Sequence, residues 1–255
     1  MSRPDSLPIL GYGVYNDSTD YFSDGVTGVV ATLNPHSYVI ARRDRLFREA
    51  LRQSDILLPD GVGIQLAARV LEGKAIKKIA GSDLHDLVIA ALDKRGGSCL
   101  YLGSSEETLQ RISARLTLES PRVRAGFHSP PFREHFTAEE NDAMIKVVNA
   151  FDPDVLFVGM TAPKQEKWVY ENRERLNVPL ICCIGAAFDF YAGTVKRPGN
   201  IWIRIGLEWM PRLLREPRRL WKRNLVSTPL FLWYLLIEKF RHINARRGNH
   251  GESQR

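Results

Sequence analysis

The chain has 255 residues, of which 44% are hydrophobic and 25% charged; this suits one or two globular domains and excludes a disordered chain. Its net charge of +7 is unevenly placed: residues 196–255 hold fourteen Lys/Arg and four Asp/Glu, a net +10, while residues 1–195 come to −3. A mildly acidic body with a strongly basic tail points to a polyanionic partner for the tail, either nucleic acid or an anionic membrane surface.

The opening MSRPDSLPIL has no apolar h-region, so no signal peptide is expected. From there, short apolar runs bounded by turn residues alternate with amphipathic stretches. Strands are predicted at Gly28–Leu33, Ile56–Leu58, Cys99–Leu102, Val155–Gly159 and Leu180–Ile184, with helices near 36–53, 63–70, 84–94, 105–118, 138–150 and 164–176. The alternation means βαβ units and a mostly parallel sheet covered by helices on both faces. Residues 1–195 are therefore expected to form one α/β body. Cys99, Cys182 and Cys183 lie in apolar runs without framework spacing and read as reduced core residues. Adjacent Cys182 and Cys183 would point to opposite faces of a strand.

The tail, residues 196–255, differs in kind. IWIRIGLEWMPRLLREPRRLWKRNLVSTPLFLWYLLIEKFRH alternates Trp, Leu and Met with Arg and is cut by Pro211, Pro217 and Pro229. Its longest uncharged run, Asn224–Ile237, has fourteen residues, whereas a spanning helix needs about twenty. Basic, Trp-rich amphipathic segments lie in the bilayer interface, so the tail is expected to contact the membrane surface without crossing it. The plainer alternative is a helical pair packed on the body with solvated arginines. No RNP-like, helix-turn-helix or zinc-finger pattern supports nucleic-acid binding.

In an open parallel sheet, ligands sit outside the carboxyl ends of the strands. Polar or glycine-rich stretches fall at several such ends: VVATLNPHS with Thr32 and Asn34, LLPDGVG with Asp60, CLYLGSSEETL with Gly103, FVGMTAPKQEKW with Gly159, Lys164 and Gln165, and CCIGAAFDFYAG with Gly185 and Asp189. Each has a bland reading as a helix cap or helix start. Asp60 in isolation reads as an N-cap; their coincidence at the ends of one sheet suggests a shared cleft. No Walker A loop, complete G-x-G-x-x-G, metal-ligand spacing or G-x-S-x-G elbow is present. What remains is a site with one well-placed carboxylate, suited to taking a proton from a hydroxyl, with no metal and no cofactor expected.

These stretches together resemble a known family. Thr-x-Asn at 32–34, PDG with Asp60 twenty-eight residues after Thr32, AGSDL (Ala80–Leu84), APKQE (Ala162–Glu166), GAAFDFYAG (Gly185–Gly193) and LEWMPRLLREPRRLWKR (Leu207–Arg223) occur in the order found in the WecG/TagA/CpsF glycosyltransferases. The resemblance runs from about residue 9 to about 240 and implies a Rossmann-like α/β body in a bacterial enzyme. Such an enzyme would move a sugar from a UDP-sugar to a polyprenyl-diphosphate-linked saccharide at the cytoplasmic membrane face, inverting the anomeric centre without a required metal. It would serve cell-surface polysaccharide synthesis as a peripheral, monotopic protein, and the resemblance leaves a homo-oligomer open.

By the same resemblance Asp60 matches a general base, and Thr32 and Asn34 match polar groups lining its cleft. Gln165 matches an amide near the nucleotide-sugar, and Asp189 and Phe127 match positions around the uridine. Arg212, Arg215, Arg218, Arg219 and Arg223 match an appendage that reaches the membrane and closes over the diphosphates; Lys78 and Lys164 are further cations for the leaving group. Three departures stand out: Lys78 replaces a common Arg, Thr161 replaces a Gly before APKQE, and Lys196–Asn200 reads KRPGN in place of an RAP motif. An epimerase would need a dinucleotide fingerprint or a Tyr-x-x-x-Lys pair, which are missing. A non-catalytic membrane scaffold of polysaccharide assembly is the other alternative.

Overall fold

The computed structural model describes residues 5–23, 25–195 and 221–252. The chain opens with a hairpin of β1 (Ser6–Ile9) and β2 (Tyr12–Tyr15), absent from the sequence expectation. Its two-residue turn places Leu10 at φ 54° and Gly11 at φ 82°, the positive pair that matches strand twist in tight hairpins. Leucine is a poor advertisement for such a turn, which is why the hairpin escaped the pattern.

Six further strands form one parallel sheet: β3 (Gly28–Leu33), β4 (Ile56–Pro59), β5 (Ser98–Gly103), β6 (Arg124–His128), β7 (Val155–Gly159) and β8 (Leu180–Cys183). Their order is β4-β3-β8-β7-β5-β6. The five strands predicted from apolar runs are all present. The sixth, β6, reads RAGFH and is nowhere fully buried, because an edge strand needs no continuous apolar run. This is the Rossmann-like α/β arrangement expected.

Helices α1 (Pro35–Ala41), α2 (Arg45–Arg52), α3 (Val62–Glu72), α4 (Gly81–Arg95), α5 (Glu106–Glu119), α6 (Ala138–Phe151), α7 (Lys164–Asn172) and α8 (Ala187–Tyr191) cover the sheet. The single helix predicted over 36–53 is two, because Asp44 caps a new start by accepting the Phe47 N–H at 3.0 Å. One face of the sheet packs on α1, α2, α3, α6 and α7; the other packs on α4, α5 and α8. Cys182 and Cys183 fall in different clusters, as strand alternation requires, and all three cysteines are buried and free.

Helices leaving neighbouring strands therefore part to opposite faces at β3/β8, β8/β7, β7/β5 and β5/β6. Such divergences open the crevice where doubly wound sheets hold ligands.

At the C-terminus a π-helical turn, Lys222–Ser227, leads into α9 (Thr228–Glu252), with Pro229 in its first turn. Phe231 and Leu235 of α9 are buried in the core cluster of the first face. Tyr38 of α1 meets Phe231 edge-on at 5.6 Å, and His36 Nδ1 lies 2.8 Å from Ser227 Oγ. Lys239 Nζ donates to the Val70 carbonyl of α3 at 2.6 Å. The C-terminal helix is thus docked on α1 and α3.

Candidate active site

Leu33 pairs with Pro59 at the ends of β3 and β4, and the Asp60 N–H donates to the Leu33 carbonyl at 2.8 Å. Asn34 and Asp60 are therefore the next residues out on adjacent strands. The cap position of α3 belongs to Gly61, at φ 97°, one residue beyond Asp60. Asp60 thus immediately precedes the cap residue of α3. Asn34 does cap: its Oδ1 accepts the Ser37 N–H at 2.9 Å, while the Ser37 hydroxyl accepts the Asn34 N–H at 2.8 Å. That reciprocal box fixes the turn from β3 into α1. Thr32, paired in register with Leu58, shares the alternation of Val30 and so faces the α4 side of the sheet.

The loop before α4 closes this end. Ile79 N–H donates to the Pro59 carbonyl at 2.9 Å, which runs Lys78–Gly81 beside the exit of β4. Gly81 is pressed against β8: a Cβ there would sit 2.9 Å from the Ile184 carbonyl oxygen. Asp83 returns a carboxylate to the Ala80 N–H at 3.0 Å. The first turn of α4 thus stands between the exits of β4 and β8.

In mid-sheet, Gly103 and Gly159 face each other in register, and a Cβ on Gly103 would come 2.6 Å from the Gly159 carbonyl. A Cβ on Gly159 would lie 2.4 Å from the Phe188 ring. Both positions demand glycine for packing. Gln165, expected near the nucleotide-sugar, is buried: its Oε1 accepts the Met160 N–H at 3.2 Å and its Nε2 donates to Glu166 Oε1 at 2.9 Å. Gly185, at φ 50°, abuts the same amide.

The remaining positions spread along the rim. Phe127 stacks on Tyr101, with planes 13° apart and centroids at 5.4 Å, and Tyr101 Oη lies 2.7 Å from Nε2 of buried His85. Burial lowers the pKa of His85 and keeps it neutral. Asp189 lies in the first turn of α8. Lys164 turns toward the long connection after β6: Nζ sits 3.6 Å from the Phe136 ring centroid and donates to the Arg133 carbonyl. Arg212, Arg215, Arg218 and Arg219 lie outside the described residues, as does the side chain of Arg223. Among the described residues no three His, Cys, Asp or Glu groups are placed to share a metal ion.

The family model described as the Glycosyl transferase WecG/TagA/CpsF family matches residues 13–245. The chain belongs to that family. It is a glycosyltransferase, and the match takes in the whole parallel sheet and most of α9. It is similar to the N-acetylglucosaminyldiphosphoundecaprenol N-acetyl-beta-D-mannosaminyltransferase of Bacillus subtilis (strain 168), with 27% identity over 219 residues, 86% of this chain and 83% of the relative. The protein of the same name from Staphylococcus aureus (strain MW2) is 25% identical over 212 residues, 82% of this chain and 80% of the relative.

Glu166, in the first turn of α7 where an acid suits the helix dipole, is nevertheless only 4% exposed, and burial pushes its carboxyl up to about 7. The signal was available, because Gln165, Trp168, Val169 and Asn172 recur at helical spacing and all are buried, which places Glu166 beside an inward stripe.

Proposed function

We propose that this glycosyltransferase moves a sugar from a UDP-sugar to a hydroxyl of a polyprenyl-diphosphate-linked saccharide, with inversion, and that Asp60 is the general base. The observation that carries this reading is the setting of Asp60. It stands at a carboxyl-end turn of the parallel sheet, beside Asn34, with the cap position of the following helix taken by Gly61. A single displacement needs an acceptor hydroxyl stripped of its proton as UDP departs from the opposite face, and a carboxylate in reach does this. The departing diphosphate calls for backbone N–H groups and cations; the first turn of α4, Lys78 and the tail arginines are the candidates. The relatives' names, which specify an N-acetylmannosaminyl donor group and a GlcNAc-diphosphoundecaprenol acceptor, make UDP-N-acetylmannosamine the first donor to try.

Action at the inner membrane face is part of the same reading. Leu232, Trp233, Leu236 and Phe240 form an exposed stripe on α9, opposite the docked Phe231 and Leu235, and Val62 and Leu66 of α3 add exposed apolar area. An apolar band of this sort on a basic tail suits the lipid interface. No described helix is long and apolar enough to cross a membrane.

The test is UDP release by wild type and Asp60→Asn across a panel of UDP-sugars, with a short-chain prenyl-diphosphate-GlcNAc as acceptor. Acceptor-dependent release with one donor, reduced about 10²–10⁴-fold in the variant, is the expected result. Equal release by both proteins would remove Asp60 from the chemistry.

A further inference from the structure

Glu166 is buried and one of its oxygens, Oε2, has no hydrogen-bond partner among the described residues. Its other oxygen accepts Gln165 Nε2 at 2.9 Å. A carboxyl in that setting is an expensive choice, since a leucine would fill the same space without a polar atom to desolvate. Beyond Glu166 lies a cavity of about 10 Å³, bordered by Val29, Ala50, Val169 and Cys183. Gln53, Ser54, Tyr170 and Arg173 border it as well, yet none of them hydrogen-bonds Oε2.

What the acid does is visible on its other side. The two ends of a glutamine amide have nearly the same shape, and only the neighbours decide which end points where. The Met160 N–H is a donor and needs the amide oxygen; it has it, at 3.2 Å. Glu166 supplies the matching acceptor for the amide nitrogen, so the two contacts enforce one orientation. Gly185 closes over the same amide, where a Cβ would lie 3.4 Å from Oε1 and 3.5 Å from Nε2. Met160 follows β7 and Gly185 follows β8, neighbouring strands whose outgoing helices part to opposite faces.

We propose that Glu166 is a positioning residue for the transfer reaction: by fixing the Gln165 amide it locks the turn leaving β7 against the turn leaving β8, and so sets the floor of the UDP-sugar cleft. The inference rests on the function proposed above. Glu166 touches neither substrate nor reacting atoms; it acts through Gln165.

The experiment measures kcat and KM for transfer, UDP affinity by calorimetry and the melting midpoint in Glu166→Leu, Glu166→Gln and Gln165→Leu. Glu166→Leu removes the acceptor and the buried carboxyl together, so it is expected to melt no lower than wild type at pH 8. Its kcat should nonetheless fall on the order of 10²-fold, the loss typical of a small misplacement of a reacting group, with weakened UDP binding. Glu166→Gln retains an acceptor oxygen and should stay close to wild type in both. The double variant Gln165→Leu/Glu166→Leu should lose no more than Gln165→Leu alone, since both cut one chain of contacts.

Wild-type turnover and UDP affinity in Glu166→Leu would overturn the proposal, as would additive losses in the double variant. If Glu166→Leu does not fold, Gln165→Leu decides from the other end, and wild-type behaviour there overturns it equally. Wild type that binds UDP but transfers no sugar would sink the proposed reaction while the affinity series still decides Glu166. Wild type that binds no UDP overturns both.

Discussion

Phe231 of the C-terminal helix lies against Gly63, in the first turn of the helix that follows Asp60; a Cβ on Gly63 would be 3.4 Å from Phe231 Cε1 and 2.4 Å from Pro35 Cγ. The tail is thereby part of the wall behind the site. Phe231 is fully buried, so Phe231→Ala is expected to cost about 3–5 kcal/mol, read as a lower urea midpoint. Because the space opens beside the turns carrying Asn34 and Asp60, transfer should also fall in the protein that remains folded. An unchanged midpoint would mean that α9 is not docked in solution.

Asn34 caps α1 and is proposed to line the cleft, two roles that substitution can separate. Its oxygen caps α1, and losing that cap in Asn34→Ala should cost about 1 kcal/mol. Asn34→Ser keeps a capping oxygen and removes the amide nitrogen. If the amide serves the acceptor or donor, Asn34→Ser will melt like wild type and transfer poorly. Matching transfer in both would leave Asn34 a cap alone.

Glu166 should shape the pH dependence of stability. Burial raises its carboxyl to about 7 in the folded chain, against about 4.3 unfolded. The folded state therefore holds this proton more tightly, and stability from Glu166 is present below pH 4.3 and lost as pH rises through about 7. Above that, the buried carboxylate costs on the order of 3 kcal/mol. The groups around it are Cys183 from β8, Tyr170 of α7 and Arg173 just after it, with Gln53 and Ser54 just after α2. Arg173 is committed to the Gln53 carbonyl at 3.0 Å and to Asp55 at 3.6 Å. Thermal melts should show Glu166→Gln above wild type at pH 8, with the gap closing toward pH 5.

Lys164 holds the connection between β6 and α6. It donates to the Arg133 carbonyl and lies over Phe136, while Arg133 Nε pairs with Glu140 at 3.2 Å. Partial burial lowers the Lys164 pKa and Glu140 opposes that shift. Lys164→Met should loosen this strap, so limited trypsin digestion should cut after exposed Arg133 faster than in wild type. An unchanged cleavage rate would return Lys164 to the roster of cations for the leaving diphosphate.

The parts of this fold legible in the sequence are those whose residues do one job. Val29–Leu33 and Val155–Val158 are buried in the interior of the sheet, apart from Thr32, and read as strands from composition alone. The edge strand Arg124–His128 and the Leu10–Gly11 turn carry weak local signals because their neighbours, not their own residues, decide them. At the site, Asn34 was legible as a cap and Asp60 as a carboxylate at a strand exit. Lys164 and Gln165 were placed correctly along the chain, yet what their side chains touch depends on Arg133 and Met160, and no spacing rule supplies that. Glu166 reads as a first-turn acid suited to the helix dipole, and its burial follows from the inward stripe of Gln165, Trp168, Val169 and Asn172 beside it.

Gly103 and Gly159 bring two backbones into contact at the mouth of the sheet, with no side chain between them. No substitution can widen or narrow the crevice there without pushing the strands apart. On the proposed reading, a change of sugar falls to the turns above that line, at Ser104, Thr161 and the connection 129–136. One rigid floor could then serve many donors, and exchanging those turns, rather than repacking the core, is the route to a transferase with a different preference.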